Sequence, residues 1–457
     1  MNLRPALLIV PFAGLALAAL AQAPADSASA PAQNDSPSAT QEEHWPQWRG
    51  PLATGEAPTG DPPVRWSESE GVRWKVEIPG RGHSTPIVWG DRIFLTTAVP
   101  VGEAGEPRWS GVTGAHDNLP VTHEHRFEVL ALDRSDGRTL WRKAVKQAWP
   151  FEGAHRSASL ASASPATDGE RIFAFFGSYG LYALDLEGEV LWQKDMGRLH
   201  SKHAHGEGAS PVLHDDTLVV NWDHEGPSFL VAFEVATGEE RWRVARDEVT
   251  SWATPLVVVD QGRPQVIVPG TERVRGYDLA TGEVLWECGG LSANVVASPV
   301  AADGMVFVGS SYDTRALLAL RYAGARGDVT GSDRVVWQRR HGTPYVPSPL
   351  LVDGALYFLR HYQGILTRVD AATGVERPGP IRLGPIRNVY ASPVAAAGRV
   401  YITDLEGTTL VLTAADEPEV LAVNRLDDRF AASAAIAGDD LFLRGERHLY
   451  RLGRPQR

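Results

Sequence analysis

A small residue followed by proline, leading into a short apolar run, recurs along this chain and constrains it more than any other feature. The phrase stands at Ser84-Thr85-Pro86, Ser164-Pro165, Ser210-Pro211, Thr254-Pro255, Ser298-Pro299, Ser348-Pro349 and Ser392-Pro393, with a degenerate eighth at Ser433-Ala434-Ala435. From Pro165 onward the openings are 46, 44, 44, 50, 44 and 41 residues apart; Pro86 to Pro165 is 79, which implies an insertion at about 100–126. The far half of the unit is as regular. Asp133…Gly137…Trp141, Asp185…Gly188…Trp192, Glu234…Gly238…Trp242 and Asp278…Gly282…Trp286 each place an acidic residue, a glycine and a tryptophan in the same order. The acid can cap turn amides and glycine supplies positive φ, so each is a tight hairpin. Between these signals run short apolar or alternating stretches such as Arg171–Phe176, which are strands by length and pattern. Four strands in about 45 residues is the size of one propeller blade.

The expected fold is all-β, an eight-bladed β-propeller of four-stranded blades. Gly71–Ile78, carrying Trp74, matches the Trp-bearing last strand, while the chain ends soon after Leu449–Leu452. The N-terminal strand is therefore expected to complete the last blade and close the ring, removing exposed sheet edges.

Ahead of the repeat, residues 1–23 read as a Sec-type signal peptide: Arg4, an apolar run from Ala6 to Leu20, then Ala21-Gln22-Ala23. Residues 24–44 are an Ala/Ser/Pro-rich flexible linker, leaving 45–457 for the propeller. A periplasmic or secreted location is expected, with no membrane span once the signal is cleaved. A net charge of −12 argues against a nucleic-acid partner, and the single cysteine, Cys288, excludes an intramolecular disulfide and every Cys-rich site.

The segments Leu181-Tyr182-Ala183-Leu184-Asp185-Leu186-Glu187-Gly188-Glu189-Val190-Leu191-Trp192 and Tyr277-Asp278…Gly282…Trp286 resemble the pyrroloquinoline-quinone-type (PQQ-like) repeat, over roughly residues 45 to 453. Trp45-Pro46-Gln47-Trp48-Arg49-Gly50 is similar to the segment that precedes the propeller in exported members. The chain is similar to uncharacterised exported propellers and, more distantly, to the assembly factor of the outer-membrane barrel machinery. The resemblance implies that Trp74, Trp141, Trp192, Trp242, Trp286 and Trp337 pack between neighbouring blades. It also implies, for the dehydrogenases among the relatives, a quinone held over a vicinal disulfide, which one cysteine cannot form.

In such a ring the loops between blades and the loops joining second to third strands open on one face. The first set carries His83, His155-Arg156, His203-Ala204-His205-Gly206-Glu207, Ser251-Trp252, Asn294, Tyr345, Asn388-Val389-Tyr390 and Arg429-Phe430. The second carries Tyr179, Asn221-Trp222-Asp223-His224-Glu225, Glu272-Arg273, Tyr312-Asp313, Arg360-His361-Tyr362 and Asp404. Turns alone call for Gly, Asn and Asp, whereas Trp, His, Tyr and Arg are recognition residues, so a binding mouth is expected there. His203, His205 and Glu207 alternate; if extended, they face one side about 7 Å apart per step and could hold a divalent metal with Asp223 or His224. The alternative, a hydrogen-bonding strap across the channel, is the one the spacing favours. The insertion, with Trp109, His116, Asp117, His123 and His125, should arch over the same face as a lid or partner contact, or else form a loose loop.

No nucleophile motif accompanies these residues, and no catalytic residue is assigned. The expected function is a monomeric, non-catalytic extracytoplasmic binding or scaffold protein presenting the loop face to a protein, peptide or glycan. The alternative is an enzyme at the funnel mouth: a quinone- or metal-dependent oxidoreductase, or a metal-assisted hydrolase or lyase. No cofactor is expected under the first reading; PQQ or a divalent metal belongs to the second.

Overall fold

The computed structural model describes residues 42–454 apart from His361. The expected signal peptide, the linker up to residue 41 and the candidate residue His361 lie outside the described residues.

Eight sheets follow one another in sequence. Blade 1 consists of Ile87–Trp89, Arg92–Val101, Glu124–Asp133 and Thr139–Ala148. Blades 2 to 7 span 166–194, 212–246, 256–289, 300–339, 350–387 and 394–425. Blade 8 takes 435–452 and is completed by Val72–Glu77, whose Trp74 lies opposite Arg451. The ring is closed by the N-terminal strand, as the repeat pattern demands. Apart from the helical Glu42 at the start of the described residues, helix there amounts to two 3-10 turns, Gly177–Tyr179 and Lys202–Ala204.

Inner strands are covered on both faces by neighbouring blades, so they are apolar almost throughout: Thr217–Trp222 is buried at every position. Outer strands alternate, as in Glu240–Arg246, where Trp242 faces the next blade and Arg241 and Arg243 face solvent. Each seam holds its own apolar cluster. Phe94, Phe127 and Val129 of blade 1 meet Ile172, Phe176 and Leu184 of blade 2, and Phe173 and Trp192 of blade 2 meet Leu218 and Phe233 of blade 3.

The recurring tryptophan serves the seam in two ways. The indole N–H of Trp74, Trp141, Trp192, Trp242 and Trp337 donates to Arg134 O, Leu186 O, Val235 O, Leu279 O and Ala371 O of the following blade. The ring also lies against that blade's turn glycine: a Cβ on Gly188 would stand 2.7 Å from Trp141. Trp286 departs from this pattern. It is buried in the seam between blades 4 and 5, but its N–H donates within its own blade, to Gln265 Oε1 at 2.7 Å. Blade 5 replaces the Asp–Gly turn with a longer excursion, and Gly327–Asp328 pairs in parallel with the strand that carries Trp286. That covering segment takes the place of a receiving turn.

The Ser/Thr of each opening phrase has a role its spacing alone does not reveal. The hydroxyl of Ser164 accepts the backbone N–H of Thr85, Ser210 that of Ser164, Thr254 that of Ser210, and so on through Ser298, Ser348, Ser392 and Ser433, at 2.9–3.0 Å. The inner girdle is thus a relay of hydroxyls, each blade holding the next. Ser298 additionally accepts the indole N–H of Trp48 at 3.2 Å. Ser298→Ala therefore orphans two donors, one of them deeply buried, and is expected to cost about 1–3 kcal/mol in a urea unfolding midpoint.

On the opposite face the segment 45–57 crosses the channel. Trp45 exchanges backbone hydrogen bonds with Val88 of blade 1, and Gly55 O accepts Ala395 N of blade 7. The buried Arg49 donates to Pro349 O, Pro393 O and Thr54 O. It has no carboxylate partner among these contacts, and burial pulls its pKa down to about 9.

Candidate functional site

The loop face opens into a funnel of about 690 Å³ whose lower wall is the hydroxyl girdle and whose base is Trp48. Its walls differ in chemistry from one side of the ring to the other.

On the side of blades 1 to 3, four histidines meet. The insertion in blade 1 folds down onto the mouth: Asn118–Leu119 pairs with Ala154–His155, and Asn118 Nδ2 donates to the carbonyls of His203 and Ala204 at 2.9 Å each. His116 is thereby brought against His205, His203 and His155, with ring centroids 4.7, 5.8 and 6.2 Å apart. His205 lies 5.0 Å from His155 and 5.4 Å from His203. Burial, together with the neighbouring imidazoles, pulls the pKa of His205 down to about 4; burial also lowers that of His155. Arg156 pairs with Asp117 at 3.4 Å.

On the side of blades 5 to 7 the wall is aromatic. Tyr312 and Tyr345 stack at 6.2 Å, Tyr345 meets Tyr362 edge-on at 5.3 Å, and Tyr362 meets Tyr390 at 4.9 Å. Tyr312 is 66% exposed. Trp252 stands between the two arcs, its indole N–H donating to Gly206 O at 2.8 Å. Lys202 and Asp313 approach to 3.9 Å at the rim.

The family described as "Outer membrane protein assembly factor BamB" matches residues 64–198, 102–226 and 227–454. The chain belongs to this family. No curated protein matches it in sequence. Among solved structures, BamB from Moraxella catarrhalis is 12% identical at a TM-score of 0.51, covering 78% of this chain and 99% of that one. A europium-containing methanol dehydrogenase is 12% identical at 0.58, covering 88% and 89%. The quinohemoprotein alcohol dehydrogenase ADHIIG from Pseudomonas putida HK5 is 11% identical at 0.54, covering 91% and 82%. At these identities the neighbours establish the fold alone, and they include both an assembly factor and oxidoreductases.

In this BamB-family propeller the funnel gathers His155, Arg156, His203, His205, Glu207, Trp252, Tyr345, Asn388 and Tyr390 from the residues expected at the mouth. Some of the residues expected there go elsewhere. Trp222 is core, 2% exposed, against Phe175 and Phe229. Asp223 is sealed in an ion pair with Arg246, both side chains 0% exposed. His224 is buried and bonded to Pro227 O, and Glu225 accepts from Thr250. Arg273 pairs with Glu287, Arg360 with Glu376, and Arg429 approaches Glu446 at 3.7 Å.

The expected His203/His205/Glu207 metal face does not form. His203 and Ala204 have positive φ (56° and 52°) inside a 3-10 turn, so the segment is not extended and the three side chains do not share a side. Glu207 instead accepts from Ser178 N and Oγ at 2.7 and 2.6 Å, and burial pushes its pKa up to about 8. Asp223 and His224, suggested as further ligands, are committed to the bonds just described. Among the described residues no group of three or more His, Cys, Asp or Glu is already arranged to hold a metal ion.

The funnel also takes in His83, Asn294, Tyr312, Asp313 and Tyr362 of the two loop sets and His116 and Asp117 of the insertion, together with Trp48 and Lys202, which neither loop set included. The usable signal was the aromatic residue in both loop sets of consecutive blades: Tyr312, Tyr345, Tyr362 and Tyr390.

Proposed function

We propose that this propeller is an extracytoplasmic binding protein, without reaction chemistry of its own, that takes an extended segment of a partner, peptide or glycan, into the funnel. The observation that carries this reading is the arc of four tyrosines, with Trp252, around a mouth closed below by Trp48. Rigid aromatic faces give large contact area at low entropic cost, and a closed floor lets a segment enter without threading through. The acid/base loop at Asn221–Glu225, where chemistry would most readily sit, spends its polar groups on packing bonds. The family description makes outer-membrane proteins the first partners to try, with the mature protein as a periplasmic or secreted monomer.

A quinone, such as the quinohemoprotein neighbour is named for, does not fit these residues. The single cysteine, Cys288, is buried in the outer strand of blade 4, and of the funnel carboxylates Glu207 is held by Ser178, Asp117 pairs with Arg156 and Asp313 approaches Lys202.

The test is binding of the mature protein to arrays of extended peptides and of glycans, followed by titration of the best binder. Tyr345→Ala and Tyr390→Ala are each expected to weaken it about 30-fold, as for a buried aromatic anchor. Binding indifferent to both, or a quinone absorbance in the purified protein, would sink the reading.

A further inference from the structure

We propose that His116, His203 and His205, with His155 beside them, form a site for a divalent transition-metal ion, zinc in the first instance, which staples the blade 1 insertion onto blades 2 and 3. The inference goes beyond the binding reading and does not depend on what the funnel holds.

Three separate stretches of chain supply these rings. None of them is oriented by a carboxylate hydrogen bond. His116 Nδ1 is 2.8 Å from Gly114 O and His203 Nδ1 is 3.2 Å from Thr113 O. A carbonyl only accepts, so Nδ1 carries the proton in both rings and the neutral imidazole keeps its lone pair on Nε2. A backbone carbonyl on the far nitrogen is one of the partners that orient metal-ligating histidines. The third ring adds an independent sign. His205 Nε2 is buried and has no hydrogen-bond partner, an orphaned donor-acceptor atom that a ligand would satisfy. His155 differs: its Nδ1 accepts the backbone N–H of Ser157 at 3.2 Å and lies 2.6 Å from the Oγ, so the neutral ring carries its proton on Nε2 and stands beside the site.

The spacing fits one ion. Imidazoles bound tetrahedrally at a metal–nitrogen distance of about 2.0–2.1 Å have ring centroids about 5 Å apart. Here the three pairs lie at 4.7, 5.4 and 5.8 Å. The rings stand at coordination spacing but not yet in coordination register, so loading is a matter of side-chain rotation while the backbone stays in place. Three neutral imidazoles suit zinc, copper or nickel over calcium or magnesium. Water completes the shell. Glu207, two residues from His205, has no part in it because Ser178 holds its carboxylate.

The mature protein, expressed without a histidine tag and stripped with chelator, is titrated with zinc chloride by calorimetry, and its metal content is measured by mass spectrometry. One zinc per chain is expected. His116→Ala and His205→Ala should each weaken uptake at least about 100-fold, beyond the loss typical of an outer-shell partner, while Glu207→Gln binds as the parent does. His116 is exposed on the insertion, so its variant keeps the fold, which circular dichroism checks. Zinc should also slow proteolysis at Arg108 in the parent and not in His116→Ala. No stoichiometric uptake, uptake indifferent to His116→Ala, or uptake lost in Glu207→Gln overturns the site. Peptide and glycan binding measured on the stripped protein keeps this outcome separate from that of the funnel's ligand.

Discussion

Arg246→Ala is expected to destabilise the propeller by about 3–5 kcal/mol, the cost of stranding one member of a buried ion pair. Arg246 Nε lies 2.7 Å from Asp223 Oδ1 and Nη2 lies 3.0 Å from Oδ2, a two-pronged bond with neither side chain reaching solvent. Burial works against the guanidinium charge, and the adjacent carboxylate more than offsets it, so the Arg246 pKa is raised. Asp223 also accepts from Ser251 Oγ at 2.7 Å and Asn221 Nδ2 at 3.1 Å, and Arg246 donates to the Tyr277 hydroxyl. The cluster joins the outer strand of blade 3 to the blade 3–4 junction and to blade 4. Removing Arg246 leaves Asp223 with two neutral donors where it had a cation. The double variant Asp223→Leu/Arg246→Met, which removes both charges, should cost less than the sum of its single changes. Urea midpoints for the four proteins of this cycle check it; additive losses would show that the two groups do not stabilise one another.

The same pair marks where sequence reading reaches its limit. Blade number and ring closure were legible because each rests on a short local signal repeated at near-constant spacing, and Trp74 before the first blade matched a strand missing after the last. The fate of loop side chains was not legible, because it depends on partners far along the chain. Asp223 looked like a solvated acid beside His224, yet its partner is Arg246, carried by the outer strand Glu240–Arg246, two strands on, whose pairing with Ser228–Glu234 brings it beside the loop. His203 and His205 looked like one face of a strand, and positive φ at two non-glycine residues undid the alternation. His116 reached the site only because the insertion pairs with His155. Trp286 shows the converse: its spacing was regular, but the blade it should have bonded to had lost the receiving turn.

The strap below the funnel also depends on contacts far apart along the chain, and Trp45 is its anchor. Trp45→Ala is expected to cost about 3–5 kcal/mol, as for truncation of a fully buried large aromatic. The side chain is 0% exposed, within the cluster that unites blades 7, 8 and 1. Its ring lies so close to the chain that a Cβ on Gly50 would stand 2.7 Å away, which positions Arg49 and Trp48 on the intervening turn. Arg49 then reaches carbonyls of blades 6 and 7, 300 and 344 residues away, and Trp48 reaches Ser298 of blade 5. Losing Trp45 therefore leaves a large cavity and also loosens the base of the funnel. The urea midpoint should fall, and amide exchange should quicken at Ala57 and Ala395, whose N–H groups close the strap onto blade 7. Trp109→Ala, at 68% exposure, should move the midpoint by no more than about 0.5 kcal/mol. Equal effects from the two substitutions, or unchanged exchange at Ala395 in Trp45→Ala, would mean that the strap is not held from Trp45.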